Sequence, residues 1–151
     1  MKNVTLNFFA AIFTILGACS CATYQIPIES LKLQFTGIDS SKFVKIVYTN
    51  RKGDEYVYSI NPIKILKCLD NDNNPLIINT GPNLLMIVTD KNNNKTKLRF
   101  DRVFVTNTYL YGQALFLSEV IRAIPLKDIA KIQIQDERRK FKYGNVEVLN
   151  H

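Results

Sequence analysis

Apolar and polar residues alternate with period two along most of the chain from Leu31 onward, the pattern of strands with one buried and one wetter face. Leu31-Lys32-Leu33-Gln34-Phe35 is the first such stretch and predicts a strand, ended by Gly37 and the Asp39-Ser40-Ser41 cluster. Phe43 to Tyr48, the turn-forming Asn50-Arg51-Lys52-Gly53-Asp54, and Tyr56-Val57-Tyr58-Ser59-Ile60 together predict a β-hairpin over 43–60. Asn61-Pro62 breaks the pattern, Ile63 to Leu69 resumes it as a strand, and Asp70-Asn71-Asp72-Asn73-Asn74-Pro75 is a loop. A second hairpin is predicted over 84–104, from Leu84-Leu85-Met86-Ile87-Val88-Thr89 and from Thr96 to Phe104, which puts Leu98 and Phe100 on one face. Val103 to Tyr111 carries further β-branched and aromatic residues. Ile129 to Gln135 alternates again, Asp136-Glu137-Arg138-Arg139 is a turn, and Lys140 to Tyr143 is a last short strand.

One segment departs from this pattern. Gln113 to Ala123 places Ala114, Leu117 and Ile121 at helical spacing, while Leu115 and Phe116 make it apolar on more than one side. A short helix and a loop folded against the sheet both fit. Pro125 then holds Ile124 extended, so the stretch Ile124 to Ile129 turns into the next strand. About eight short strands at 8–12-residue spacing predict a mainly β protein, a single small antiparallel β-sandwich or barrel-like domain.

The N-terminus is written differently. Lys2 precedes an apolar run from Phe8 to Leu16, about half of the roughly 20 residues that a membrane-crossing helix needs. Residues 1–18 therefore have the layout of a removed signal peptide. The run closes on Leu16-Gly17-Ala18-Cys19, which resembles the lipobox of bacterial lipoproteins, with a branched residue at −3, small residues at −2 and −1, and Cys at +1. The resemblance implies cleavage between Ala18 and Cys19, a thioether from Cys19 to diacylglycerol, and acyl chains such as palmitate as the membrane anchor. Each buried methylene contributes about 0.8 kcal/mol, so two or three chains hold a protein almost permanently. Ser20 stands where Asp resembles an inner-membrane retention signal, which favours the outer membrane. Ile124 to Ile132 and Lys140-Phe141-Lys142-Tyr143 resemble the C-terminal ends of small bacterial envelope lipoproteins, a resemblance that implies a recurring β-fold and no activity. The expected organisation is a signal peptide over 1–18, a lipidated N-terminus and flexible tether over 19–30, and one antiparallel β domain over 31–151.

The formal charge of +7 falls to +6 once Lys2 is removed. A lipid-anchored chain with spare positive charge suits anionic headgroups, and an envelope address argues against nucleic acid. Cys21 and Cys68 are left once Cys19 is lipidated; Cys68 follows Ile63, Ile65 and Leu66 and reads as a small buried hydrophobe rather than half of a disulfide.

Catalytic chemistry finds little to work with. The single histidine, His151, is the last residue, so a Ser-His-Asp or Cys-His arrangement and the usual zinc site lack their central group. Asp70-Asn71-Asp72-Asn73-Asn74 begins like a calcium loop, but Pro75 replaces the glycine at its sixth position and Gly81 the glutamate at its twelfth. No metal or cofactor is expected, and no catalytic residue is assigned. Arg138, Arg139, Lys140 and Lys142 form the densest positive cluster, suited to lipid phosphate or acidic polysaccharide and equally to a solvated turn. Tyr56 and Tyr58, and likewise Tyr109 and Tyr111, are spaced i, i+2 in two strands, so each pair shares one side of a sheet. Exposed together they would form an aromatic platform for a sugar ring or partner protein; buried they would serve as packing.

The sequence thus points to a non-enzymatic binding or accessory subunit, anchored by lipid in the bacterial envelope, with an envelope protein or glycan as partner. Two alternatives are a carrier holding a lipid or small hydrophobe in a β cavity, and an envelope glycan hydrolase working through two carboxylates.

Overall fold

A computed structural model describes residues 22–49, 52–114, 120–137 and 146–148. In chain order they form β1 (Thr23–Gln25), α1 (Ile28–Gln34), β2 (Val44–Thr49), β3 (Glu55–Ile60), β4 (Ile65–Leu69), β5 (Pro75–Asn79), β6 (Leu84–Asp90), β7 (Lys95–Val105), β8 (Tyr109–Ala114), β9 (Ile121–Pro125), β10 (Ile129–Asp136) and β11 (Val146–Val148). Eight strands make one sheet in the order β5-β4-β1-β10-β6-β7-β8-β9, and β11-β2-β3 make a second. Every pairing is antiparallel. The end strands β5 and β9 do not pair with each other, so the large sheet is not closed into a barrel. The mainly β, antiparallel expectation holds, in its sandwich-like form.

Both predicted hairpins are present. Within 43–60, β2 and β3 pair from Val44–Ile60 to Thr49–Glu55, and within 84–104, β6 and β7 pair from Leu85–Arg99 to Thr89–Lys95. A further strand, β5, follows the Asp70–Asn74 loop and pairs back on β4 from Leu69–Pro75 to Ile65–Asn79. The loops of these two hairpins on the large sheet are built alike. Asp70 Oδ1 accepts the backbone N–H groups of Asp72 and Asn74, each at 2.8 Å, and Asp90 Oδ1 accepts those of Asn92 and Asn94 at the same distance. The second carboxylate oxygen accepts from the Asn74 or Asn94 side-chain amide, at 3.1 and 2.9 Å. Asn73 and Asn93 take the left-handed conformation (φ 64° and 67°) that asparagine tolerates. The acceptors that a calcium ion would need at Asp70 are thus spent on its own loop.

The N-terminal part corrects two expectations. Residues expected to form a flexible tether include β1, which lies between β10 and β4 and pairs from Thr23–Gln135 to Gln25–Gln133. Ile26 is buried and its N–H donates to the Ile132 carbonyl at 3.1 Å. The domain therefore starts before Leu31, and Cys19, Ser20 and Cys21 lie outside the described residues. The stretch expected as a first strand, Leu31 to Phe35, is instead the body and C-cap of α1. Positions 31, 33 and 35 satisfy period two, but 31 and 35 also satisfy the i, i+4 spacing of a helix face. The burial decides for the helix: Leu31 and Phe35 are closed from solvent while Leu33 is 76% exposed. Seven residues do not hold a helix in isolation. Packing holds this one, together with Gln34, whose side-chain amide donates to the Lys67 carbonyl at 2.9 Å and accepts the Lys67 N–H at 2.7 Å. Gln34 thereby bonds α1 to the backbone of β4.

The core lies on one face of the large sheet, beneath α1. It joins Leu31 and Phe35 to Leu66, Cys68, Met86, Val88, Leu98, Phe100, Val103, Leu110, Ile132 and Ile134. Phe35 meets Phe100 edge to face, centroids 6.1 Å apart. Cys68 is a buried free thiol, as its apolar neighbours in sequence implied, and burial raises its pKa. The ambiguous segment after Gln113 resolves in part. Ile121–Pro125 is not helical but the edge strand β9, paired with β8 from Tyr109–Pro125 to Gln113–Ile121. The turn expected into the following strand is a 3-10 turn over Leu126–Asp128. The expected strand Lys140 to Tyr143 lies outside the described residues.

Candidate functional site

The site begins at an irregularity in β7. On this strand Leu98 and Phe100 face the core, and so do Val103 and Val105, so the inward phase changes between Phe100 and Val103. The β7–β8 register shifts over the same interval. Two adjacent residues, Asp101 and Arg102, sit in this bulge, an arrangement that re-aims side chains. Asn61, at the end of β3, compensates the interrupted ladder. Its side-chain Nδ2 donates to the carbonyls of Phe100 at 2.7 Å and Val103 at 3.2 Å, and its backbone N–H donates to the Asp101 carbonyl at 2.7 Å. Its Oδ1 accepts the Ile63 N–H at 3.2 Å, and the residue is 3% exposed. One buried asparagine thus ties the small sheet to the bulge of the large one.

Beside this tie lies a pocket of about 510 Å³ between the two sheets. Val44, Ile46 and Ile60 line it from the small sheet, Phe100 and Asp101 from β7, and Pro62 to Lys64 with Thr80 to Pro82 from the connecting loops. Its size falls in the range of small-ligand sites, and most of its lining side chains are apolar. Asp101 is the one acidic residue among the described residues that line it. Its Oδ1 is buried with no hydrogen-bond partner, and burial raises its pKa against the opposing pull of Arg102 and then Arg99. The two converging acids that a glycan hydrolase requires are not assembled in this lining.

From the pocket an aromatic strip runs outward. Tyr58 is two residues from Ile60 on β3 and pairs with Ile46 on β2, so it shares their face of the small sheet. The Arg102 guanidinium lies 4.6 Å from the Tyr58 ring centroid, within cation–π range. Tyr56 stacks near Tyr58, with centroids 6.4 Å apart and planes 13° from parallel. On the large sheet Phe104 pairs with Tyr111 and stacks on it at 4.8 Å, and Tyr109 tilts against Tyr111 at 5.9 Å. Phe43 meets the edge of Phe104 at 6.0 Å. Arg102 joins the two halves: Nη1 donates to Gln113 Oε1 on β8 while the guanidinium covers Tyr58. Arg102 Nε is buried without a partner. Tyr56 and Tyr109 remain 44% and 39% exposed, so both ends of the strip reach water.

The four tyrosines named from sequence are therefore brought to one region, each pair on one face as its spacing required. Asn61, Asp101, Arg102, Phe104 and Phe43 were missed. A signal existed for the bulge, because the apolar positions 98, 100, 103 and 105 change phase within a single strand. Asn61-Pro62 had marked only a break. Arg138, Arg139, Lys140 and Lys142 lie outside the described residues, as do Ala18, Cys19 and His151. Among the described residues no group of three His, Cys, Asp or Glu side chains converges as a metal site would require.

Comparison with known protein families, with characterised proteins and with solved structures finds no match for this chain.

Proposed function

We propose that this chain is a lipid-anchored lipoprotein of the bacterial envelope, with the outer membrane as its address, acting as a non-enzymatic binding subunit. Its partner is taken on the strip Tyr56–Tyr58–Arg102–Phe104–Tyr111–Tyr109 and in the adjoining pocket. One observation carries this reading: Arg102 covers Tyr58 and bonds Gln113, two residues from Tyr111 on β8, so that two tyrosine pairs some fifty residues apart border one half-exposed surface beside an apolar pocket. Partly exposed tyrosines supply large, rigid contact area at low entropic cost, the property that favours them at binding surfaces. The anchor rests on the Leu16-Gly17-Ala18-Cys19 tetrapeptide, and no helix among the described residues is long and apolar enough to cross a membrane.

Two measurements test it. Cells fed an alkyne fatty acid should label the wild type and not Cys19→Ala; label on neither would remove the anchor. A benzoylphenylalanine at Tyr109 or Tyr56 should give light-dependent adducts in the envelope, and one at exposed Lys131 on β10 should not. Equal adducts at all three positions, or none, would remove the strip as the binding surface.

A further inference from the structure

The pocket and strip are continuous through one strand face, and that continuity specifies a ligand. Ile60 and Tyr58 project from the same side of β3, one into the pocket lining and the other beneath Arg102. A molecule that fills the first and lies along the second must be apolar at one end and ring-shaped or planar at the other. Its middle passes the bulge, where Asp101 Oδ1 lacks a donor and Arg102 Nε lacks an acceptor. A buried polar group without a partner costs free energy that a ligand hydroxyl relieves, and a hydroxyl both donates and accepts. A charged head fits less well. A cation would meet Arg102, the nearby Arg99 and Lys64 of the pocket lining, whereas a phosphate or carboxylate, though drawn by these, would lie against the unpartnered Asp101 Oδ1. Resting on the proposed binding role of this surface, we propose that the site takes a glycolipid: an alkyl chain in the pocket lined by Val44, Ile46, Ile60 and Phe100, and an uncharged sugar along the open sides of the half-buried Tyr58 and Tyr111 with its hydroxyls turned to Asp101 and Arg102.

The probe is decyl β-maltoside below its micelle threshold, titrated into the mature chain, residues 19–151, carrying Cys19→Ala so that no acyl chain of its own competes. Calorimetry reads the binding of every variant, and in the tryptophan-free parent the emission of its seven tyrosines, four of them in the strip, is followed alongside. The glycoside should bind saturably and at least tenfold more tightly than decanoate or decyltrimethylammonium of equal chain length, and maltose alone should not saturate. Ile60→Trp, which fills the pocket, should abolish binding, and Asp101→Leu should weaken it about tenfold, with circular dichroism showing the β signal of the parent in both. Equal affinity for either charged amphiphile, or binding indifferent to Ile60→Trp, would overturn the glycolipid assignment. Absence of glycoside binding while the Tyr109 photo-adducts persist would overturn the ligand class alone. Absence of both would remove the binding surface itself.

Discussion

The two sides of β7 have been treated very differently. On the inner side Leu98, Phe100 and Val103 are closed from solvent in one cluster with Leu31, Phe35 and Leu110. On the outer side, within the same few residues, stand a carboxylate oxygen without a donor, a guanidinium nitrogen without an acceptor, and aromatic rings left partly in water. The inner side is what a stable sheet needs: apolar area removed from water at about 25 cal/mol per Å². The outer side forgoes stability that simple substitutions would recover. Such unspent interactions concentrate where a surface awaits a ligand, and the contrast supports the proposed site independently of any motif.

The comparison can be broken most severely from the inside. Phe100→Ala removes the ring that meets Phe35 and the pocket floor together; an unfolding free energy lower by about 3–5 kcal/mol is expected by denaturant titration. Asn61→Ala should be next, at about 1–3 kcal/mol, because the Phe100 and Val103 carbonyls lose their shared donor. It should also weaken any ligand held at the bulge, whereas an inner-face change of equal stability cost, such as Val88→Ala, should not.

Asp101→Asn tests the outer face with the opposite sign. The folded-state pKa of Asp101 is raised above its unfolded value, so the folded protein holds this proton more tightly. Its carboxyl therefore lowers stability progressively as pH rises above the ordinary carboxylate range, and Asp101→Asn should raise the melting temperature at pH 7 and leave it unchanged at pH 3. The loops at Asp70 and Asp90 run the other way. Hydrogen bonds from Asn74 and Asn94 depress both carboxyl groups, so their contribution is present above the unfolded pKa and is lost as pH falls below the ordinary carboxylate range. A pH scan of the wild type should thus show stability lost at acid pH through the loops and, separately, a decline toward neutral pH that the Asp101→Asn variant lacks. The smallest effect is expected at the rim: Tyr109→Ser should change stability by no more than about 0.5 kcal/mol in thermal unfolding while it removes the envelope photo-adducts made from Tyr56.

The legibility of this chain followed the reach of its interactions. Both 43–60 and 84–104 were readable as hairpins because the alternation and the turn residues that close it are neighbours in sequence. The parity of Tyr56 with Tyr58, and of Tyr109 with Tyr111, was readable for the same reason. Leu31 to Phe35 was not, since three apolar residues at 31, 33 and 35 fit a strand and a helix face alike until a neighbour buries two of them. Thr23–Gln25 reads as tether because three residues carry too little pattern; only the edges of β10 and β4 on either side make them a strand. Ile121 stands at helical spacing with Ala114 and Leu117, yet it opens a strand because β8 pairs with it.

By itself, then, the sequence determined the β class, the two hairpins, the sidedness of each tyrosine pair and the lipobox resemblance at Cys19, all of them properties of adjacent residues and a repeating backbone period. The tertiary structure alone decided that the large sheet stays open, that β3 reaches β7 through Asn61, and that the two tyrosine pairs border one surface at Arg102 beside Asp101. The decisive contacts join β3 to β7 across some 40 residues, as with Asn61 Nδ2 and the Val103 carbonyl, and no local period encodes them. They arise when buried polar groups must find partners and each apolar face must find another to cover it.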